Sequence, residues 1–163
     1  RDRDFQNNRS ASSSFAMRIL ITGSSGWLGG ALAERLVEDG HTVVGASRRS
    51  TLTAGVESRR VDINEDSSVS NLFLTGVGGQ NFDVVVHLAG ALGWCDLKTA
   101  LDTNVAGTRR ILETALTHGC RKFVVASSVA AISTAAPDHP PIELPMPANH
   151  MSVGGPWPYG LSK

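Results

Sequence analysis

Apolar segments long enough to cross a bilayer are missing from this chain of 163 residues. Its longest aliphatic runs, residues 82–91 and 123–126, fall far short of the roughly 20 residues a membrane helix requires. An excess of one charge is missing too: fifteen Lys and Arg balance fifteen Asp and Glu. Without a basic stripe, the sequence argues against a nucleic-acid partner, as the short apolar runs argue against a membrane. Cysteine is scarce. Cys95 and Cys120 lie 25 positions apart with no apolar signal sequence, which argues against a disulfide framework and makes a reducing, cytoplasmic setting the expectation. Cys95 has no His fixed beside it and reads as a buried or helix-start cysteine, while His139 and His150 stand isolated, so no metal site is expected. Proline is absent until position 137, and all seven prolines then fall in residues 137–158. A central strand or continuous helix is thereby excluded over about 133–157, which reads as a long loop.

What remains is one domain. Residues 1–16 carry four Ser, two Asn, one Gln and five alternating charges without apolar period, and read as a disordered leader or an added expression segment. Residues 17–163 then alternate short aliphatic runs with longer amphipathic ones, the pattern of an α/β domain whose parallel sheet is covered by helices. Strands are expected at residues 18–22, 42–46, 59–61, 83–87 and 122–126, mostly without alternation, as for strands buried on both faces. A helix with Leu28, Ala31, Leu32 and Leu36 on one face should end at Gly40, and a shorter one should cover residues 66–74. The longest helical pattern runs over 96–118, where Leu97, Leu101, Val105, Thr108, Leu112, Ala115 and Leu116 recur at spacings of three and four before Gly119.

Three features carry chemistry. Thr22-Gly23-Ser24-Ser25-Gly26-Trp27-Leu28-Gly29 lies between a strand and a helix, where Gly23 permits a tight turn, Gly26 admits a pyrophosphate to the backbone N–H groups, and Gly29 allows close packing. Structural punctuation is the plainer alternative. The second strand runs into Ser47-Arg48-Arg49 with no Asp or Glu from Thr42 to Val56. Dinucleotide sites that take NAD place an acid near there, so a hydroxyl and two guanidinium groups point to NADP over NAD, unless the arginines are only a solvated surface pair. Tyr159 and Lys163 stand four apart, on one face of a helix. A phenol is a poor acid-base at neutral pH, and a neighbouring ammonium favours its ionised form.

With these features in place the chain resembles the extended short-chain dehydrogenase/reductase superfamily, the NAD(P)-dependent epimerase/dehydratase group, over residues 17–163. The resemblance rests on Thr22-Gly23-x-x-Gly26-x-x-Gly29, Asp62-Ile63, His87-Leu88-Ala89-Gly90, Asn104-Val105-x-Gly107-Thr108, Ser127-Ser128 and Tyr159-x-x-x-Lys163. It implies a Rossmann-type doubly wound parallel sheet, truncated before the last strands and the substrate domain. It also implies a cofactor site of Gly23, Ser25, Gly26, Trp27, Leu28, Gly29, Ser47, Arg48, Asp62, Ile63, Leu88, Ala89, Gly90, Ser127, Tyr159 and Lys163. Within it Asp62 would bond the adenine amino group, Ile63 would line the adenine pocket, and Leu88 to Ala91 would flank phosphates and ribose. The catalytic set implied is Ser128 on the substrate oxygen, Tyr159 as general acid-base, and Lys163 favouring the phenolate and binding the nicotinamide ribose; Asn104 is a scaffold residue.

The implied activity is that of an oxidoreductase, epimerase or dehydratase acting on a small molecule such as a nucleotide sugar, as a homodimer when full-length. The alternatives are a non-catalytic NADP-binding module and an inactive fragment, poorly soluble or partly unfolded. Asp62 as a helix cap and Ser127-Ser128 as a plain turn are the simpler local readings. Ile132-Ser133 departs from the aromatic and glycine usual a few residues beyond the paired serines.

Overall fold

A computed structural model describes residues 16–74, 81–92, 95–131 and 158–163. Residues 1–15 of the expected leader, Ile132-Ser133 and the rest of residues 134–157 with His139 and His150 lie outside the described residues. Five strands, β1 (Arg18–Thr22), β2 (Thr42–Ser47), β3 (Val56–Arg60), β4 (Val84–His87) and β5 (Phe123–Val125), form one parallel sheet in the order β3-β2-β1-β4-β5. Alternate side chains of the central strands feed two cores, one on each face. Leu20, Val44 and Val85 join Ile111, Ala115, Val69 and Leu72, while Ile19, Ile21, Val43 and Val86 pack against Ala33, Leu32 and Leu36. Each fully buried aliphatic side chain contributes about 1.5–3 kcal/mol, which is why the aliphatic density of these strands fixes them in the middle of the sheet.

Burial on both faces holds for β1, β2 and β4 but not for the outer strands. β5 leaves Val124 and Val125 exposed, and β3 is half-buried to exposed throughout. The β3 strand also begins at Val56 rather than at Arg59, because ladder pairing with β2 from Val43↔Val56 to Ser47↔Arg60 recruits the polar Glu57 and Ser58, which hydrophobicity alone does not mark as strand.

The first helix, α1 (Trp27–Glu38), ends in a Schellman motif in which Gly40, at φ +86°, donates to Val37 O and His41 donates to Leu36 O. Its inner face takes only part of that apolar stripe. Gly29 and Ala33 are buried with Leu32 and Leu36 packed beside them, whereas Leu28 and Ala31 face outward. Small residues lie innermost because the helix starts directly against the turn it follows: a Cβ on Gly29 would stand 2.3 Å from Gly23 O. The second helix, α2 (Asp66–Leu74), buries Val69 and Leu72.

The long helical pattern becomes α3 (Leu97–Ala100), a π-helical segment (Leu101–Gly107) and α4 (Thr108–Thr117), joined through right-handed helical backbone. Asp96 caps it by accepting from Thr99 N at 2.8 Å. The core face is Ala100, Asn104, Gly107, Ile111 and Ala115, while Leu97, Leu101, Val105 and Leu116 of the recurring apolar stripe are exposed. Close approach to the loop after β3 puts small residues on the inner face, since a Cβ on Gly107 would meet Ile63 Cδ1 at 2.9 Å. Leucines there would hold the helix off.

The last residue of β4 ties these layers together. His87 is buried, with Nδ1 2.7 Å from Thr22 Oγ1 at the end of β1 and Nε2 2.9 Å from Thr108 Oγ1 at the start of α4. Thr22 Oγ1 also accepts from Ala89 N at 3.2 Å. A neutral imidazole protonated on Nε2 satisfies every group: Thr22 donates to Nδ1 and Nε2 donates to Thr108. Burial, reinforced by the Lys163 ammonium, lowers the His87 pKa from 6.5 to about 4. Between these values the folded chain binds fewer protons than the unfolded one, so His87 makes stability rise with pH across that window and fall on acidification. In urea titrations, the stability advantage of wild type over His87→Gln is expected to narrow by about 3 kcal/mol from pH 7 to pH 4; an advantage independent of pH would show that the fold does not lower the His87 pKa.

Candidate functional site

Parallel strands deliver their following loops to one end of the sheet, and the order β3-β2-β1-β4-β5 reverses direction between β1 and β4. Loops on either side of such a switch point diverge and leave a crevice at the carboxyl ends of the strands. Here that crevice has a volume of about 300 Å³. Its lining comes from the glycine turn after β1 (Gly23, Ser25, Gly26), the loop after β2 (Ser47, Arg48, Arg49), the loop after β3 (Asp62, Ile63, Asn64) and the loop after β4 (Leu88, Ala89, Gly90).

The glycine turn is built on close approach. Gly23 adopts φ +75°, and a Cβ on it would lie 2.8 Å from Ala89 N, so the loops after β1 and β4 touch backbone to backbone. Gly26 donates to Gly23 O at 3.0 Å and then serves as the α1 N-cap with no side-chain capping bond, and no acid occupies the first turn. The first-turn N–H groups are therefore left for an anion. Trp27 and Leu28 do not line the cleft with their side chains, Trp27 being 91% exposed; what these positions offer is backbone N–H. Gly29 is buried beneath the turn.

At the end of β2 the Ser47 hydroxyl donates to Arg49 O, so it shapes the turn of the cleft wall that Ser47 itself lines. Arg48 and Arg49 are exposed on the cleft wall, and neither side chain has a hydrogen-bond or ion-pair partner among the described residues. Asp62 combines two roles: Oδ1 accepts from Asn64 N at 3.0 Å as a local turn cap, while the residue also lines the cleft. Ile63 is buried against Gly107 with its edge on the cleft.

Sequence reasoning left out Asn64 and Thr103, which meet across the cleft wall through Asn64 Nδ2 donating to Thr103 Oγ1 at 3.2 Å. The signal for Thr103 was its place beside Asn104 in the Asn104-Val105-x-Gly107-Thr108 motif.

Ser127 and Ser128 follow β5 and do not line the cleft. Ser128 is half-buried and heads a 3₁₀ turn (Val129–Ala131), its Oγ accepting from Ala130 N at 3.2 Å, while Ser127 is exposed. The short helix α5 (Pro158–Leu161) packs against that 3₁₀ turn. Lys163 Nζ donates to Ala126 O at 3.2 Å and lies 5.8 Å from the centroid of the Tyr159 ring. A Cβ on Gly90 would stand 3.3 Å from the same Nζ, which places the lysine at the edge of the cleft.

Asn104 holds this corner together. Its Oδ1 accepts from Ala91 N at 2.7 Å, and its Nδ2 donates to Ala91 O at 3.1 Å and to Ser162 Oγ at 2.8 Å. One buried amide thus bolts the loop after β4 to the segment carrying Tyr159 and Lys163, a scaffold role supplied from the π-helical segment. Among the described residues no group of three His, Cys, Asp or Glu side chains is gathered, and no helix is long and apolar enough to cross a membrane.

Comparison with known proteins agrees with this architecture. The model of the NAD dependent epimerase/dehydratase family matches residues 19–163. A UDP-glucose 4-epimerase of Mycolicibacterium smegmatis is 32% identical over 160 residues, covering 90% of this chain and 48% of its own length. The crystal structure of a short-chain dehydrogenase/reductase superfamily protein from Agrobacterium tumefaciens with bound NAD is 31% identical, with a TM-score of 0.71 over 90% of this chain and 42% of that one. The UDP-glucose 4-epimerase of Thermus thermophilus in complex with NAD is 26% identical, with a TM-score of 0.74 over 90% and 47%. The chain spans about half the length of the curated relatives it matches. With its Rossmann-type sheet and its switch-point cleft, the chain belongs to the NAD dependent epimerase/dehydratase family.

Proposed function

We propose that the intact protein carrying this chain transfers hydride between a nicotinamide dinucleotide and a carbinol carbon of a nucleotide sugar, with Tyr159 as general acid-base. The observation that carries this reading is the position of Lys163 Nζ, bonded to Ala126 O, beside Gly90 of the cleft and close to the Tyr159 ring. When bound, the dinucleotide supplies a two-electron hydride acceptor and donor. The glycine turn and the free N–H groups of the first turn of α1 hold its pyrophosphate. Asp62 and Ile63 receive the adenine. Ser128 Oγ hydrogen-bonds the reacting substrate oxygen, Tyr159 Oη takes that oxygen's proton on oxidation and returns it on reduction, and Lys163 supplies the positive charge a phenolate needs nearby and bonds the nicotinamide ribose. The UDP-glucose epimerases among the relatives support this substrate class. Homodimerisation through the outward stripe Leu97, Leu101, Val105 and Leu116 belongs to the same reading.

The cofactor form we infer is the phosphorylated one, NADP. Among the described residues Asp62 is the sole carboxylate in the cleft lining, it stands after β3, and Arg48 and Arg49 after β2 face the cleft. NAD bound in the Agrobacterium and Thermus structures belongs to those proteins; two guanidinium groups here favour a 2′-phosphate through charge-assisted hydrogen bonds.

Fluorescence titration of the chain at fixed ionic strength is expected to show NADPH binding about 10- to 100-fold tighter than NADH, with the difference erased in the Arg48→Ala/Arg49→Ala double variant. Equal affinities in the wild type would contradict the NADP reading. In the intact protein, Tyr159→Phe is expected to lower turnover about 10²- to 10⁴-fold while leaving nucleotide affinity unchanged; wild-type turnover in that variant would remove Tyr159 from the mechanism.

A further inference from the structure

Two hydroxyls that the proposed mechanism does not use lie buried between the glycine turn and the loop after β2. Ser24 is 1% exposed and Thr51 is 8% exposed, and their oxygens stand 2.5 Å apart. Ser24 reaches Thr51 by crossing over β2 at Gly45, where a Cβ would lie 2.7 Å from Ser24 Oγ and 2.9 Å from Ser24 Cβ. A valine at that strand position, like its neighbours Val43 and Val44, would close the passage. Thr51 is anchored a second time through its N–H, which donates to Ser58 Oγ on β3 at 2.9 Å. At the other end of the loop, Val61 N donates to Ser47 O at 2.9 Å and the Ser47 hydroxyl holds Arg49 O. Between these anchors the side chains of Arg48 and Arg49 are exposed on the cleft wall, and immediately after Thr51 the side chain of Leu52 is 95% exposed. Thr51 is therefore the point at which a short arginine-bearing loop is fastened to the phosphate-binding turn.

We propose that Thr51 is a positioning residue for ribose-phosphate discrimination: the Ser24–Thr51 hydrogen bond fixes the backbone of residues 48–50, so that Arg48 and Arg49 meet a 2′-phosphate without first having to be ordered. The inference rests on the NADP reading of those arginines. A guanidinium on a mobile loop spends part of its binding energy on ordering that loop, whereas one on a clamped loop does not. The turn that cradles the pyrophosphate keeps its own backing against Leu88, Ala89 and Gly29 when this bond is lost, whereas residues 48–50 lose an anchor, so loss of the clamp weakens the phosphorylated nucleotide selectively.

The test is titration of the full chain with NADPH and with NADH, in wild type, Thr51→Val, Thr51→Ser and Ser24→Ala, beside amide hydrogen exchange of residues 48–52 in the absence of nucleotide. Thr51→Val and Ser24→Ala should each reduce the ratio of NADPH to NADH affinity about five- to tenfold, the loss of one hydrogen bond, and speed exchange in 48–52. Thr51→Ser, which keeps the hydroxyl, should restore both. An unchanged affinity ratio and unchanged exchange in Ser24→Ala and Thr51→Val, with the wild-type preference for NADPH intact, overturn the clamp while leaving the arginine assignment standing. A wild type with no preference for NADPH overturns that assignment and the discriminating role of Thr51 with it, and faster exchange in the variants would then show that the clamp itself exists.

Discussion

The structure depends on two loops touching where no side chain can fit. Gly23 brings the turn after β1 against the backbone of Leu88 and Ala89, the loop after β4, and Gly29 seats the first turn of α1 directly on Gly23. These contacts set the distance between the two crossovers at the switch point, and hence the width of the cleft and the aim of the α1 N–H groups into it. A methyl group at either position would drive the elements apart, and the loss would be geometric before it was energetic.

Around that contact, buried polar side chains do what aliphatic packing cannot, because they fix orientation as well as proximity. His87 joins the ends of β1 and β4 to the start of α4 through two threonine hydroxyls. Asn104 joins the loop after β4 to the Tyr159–Lys163 segment through the Ala91 backbone and Ser162. Ser24 and Thr51 join the glycine turn to the arginine-bearing loop. Each of these links meets an element of the cleft or of the Tyr159–Lys163 corner on at least one side, so the apolar cores set the sheet while the polar links set the cleft and its rim. The interior position of Asn104 on a π-helical stretch belongs to the same division of labour: the helix contributes an amide where regular packing would call for another aliphatic residue.

Much of this was legible in order of residues. Aliphatic density located β1, β2 and β4, and the left-handed glycines Gly40 and Gly119 marked both helix ends. The limits of β3 were not legible, since strand pairing with β2 carries Glu57 and Ser58 into the sheet without help from hydrophobicity. Nor was the inner face of the two long helices. Apolar spacing marked Leu28, Leu101 and Val105 as lying on helices without saying which side meets the core, and the small residues Gly29, Ala33, Ala100 and Gly107 face it because close approach selects volume over hydrophobicity. At the cleft, the motif residues Gly23, Gly26, Asp62 and Leu88 to Gly90 form the lining while Ser127 and Ser128 do not, and pairings across 27, 58 or 65 positions, such as Ser24 with Thr51, Asn104 with Ser162 and Thr22 with His87, arise only from the fold.

The most direct test of the account is to map nucleotide contacts by backbone amide chemical-shift perturbation, titrating the isotopically labelled chain with NADPH. The account predicts perturbations gathered at Gly23 to Gly29, at Ser47 to Arg49, at Asp62 to Asn64 and at Leu88 to Gly90, the four loops that converge at the switch point. Perturbations centred instead on the groove between α2 and α4, around Asp66, Arg110 and Glu113, would contradict it.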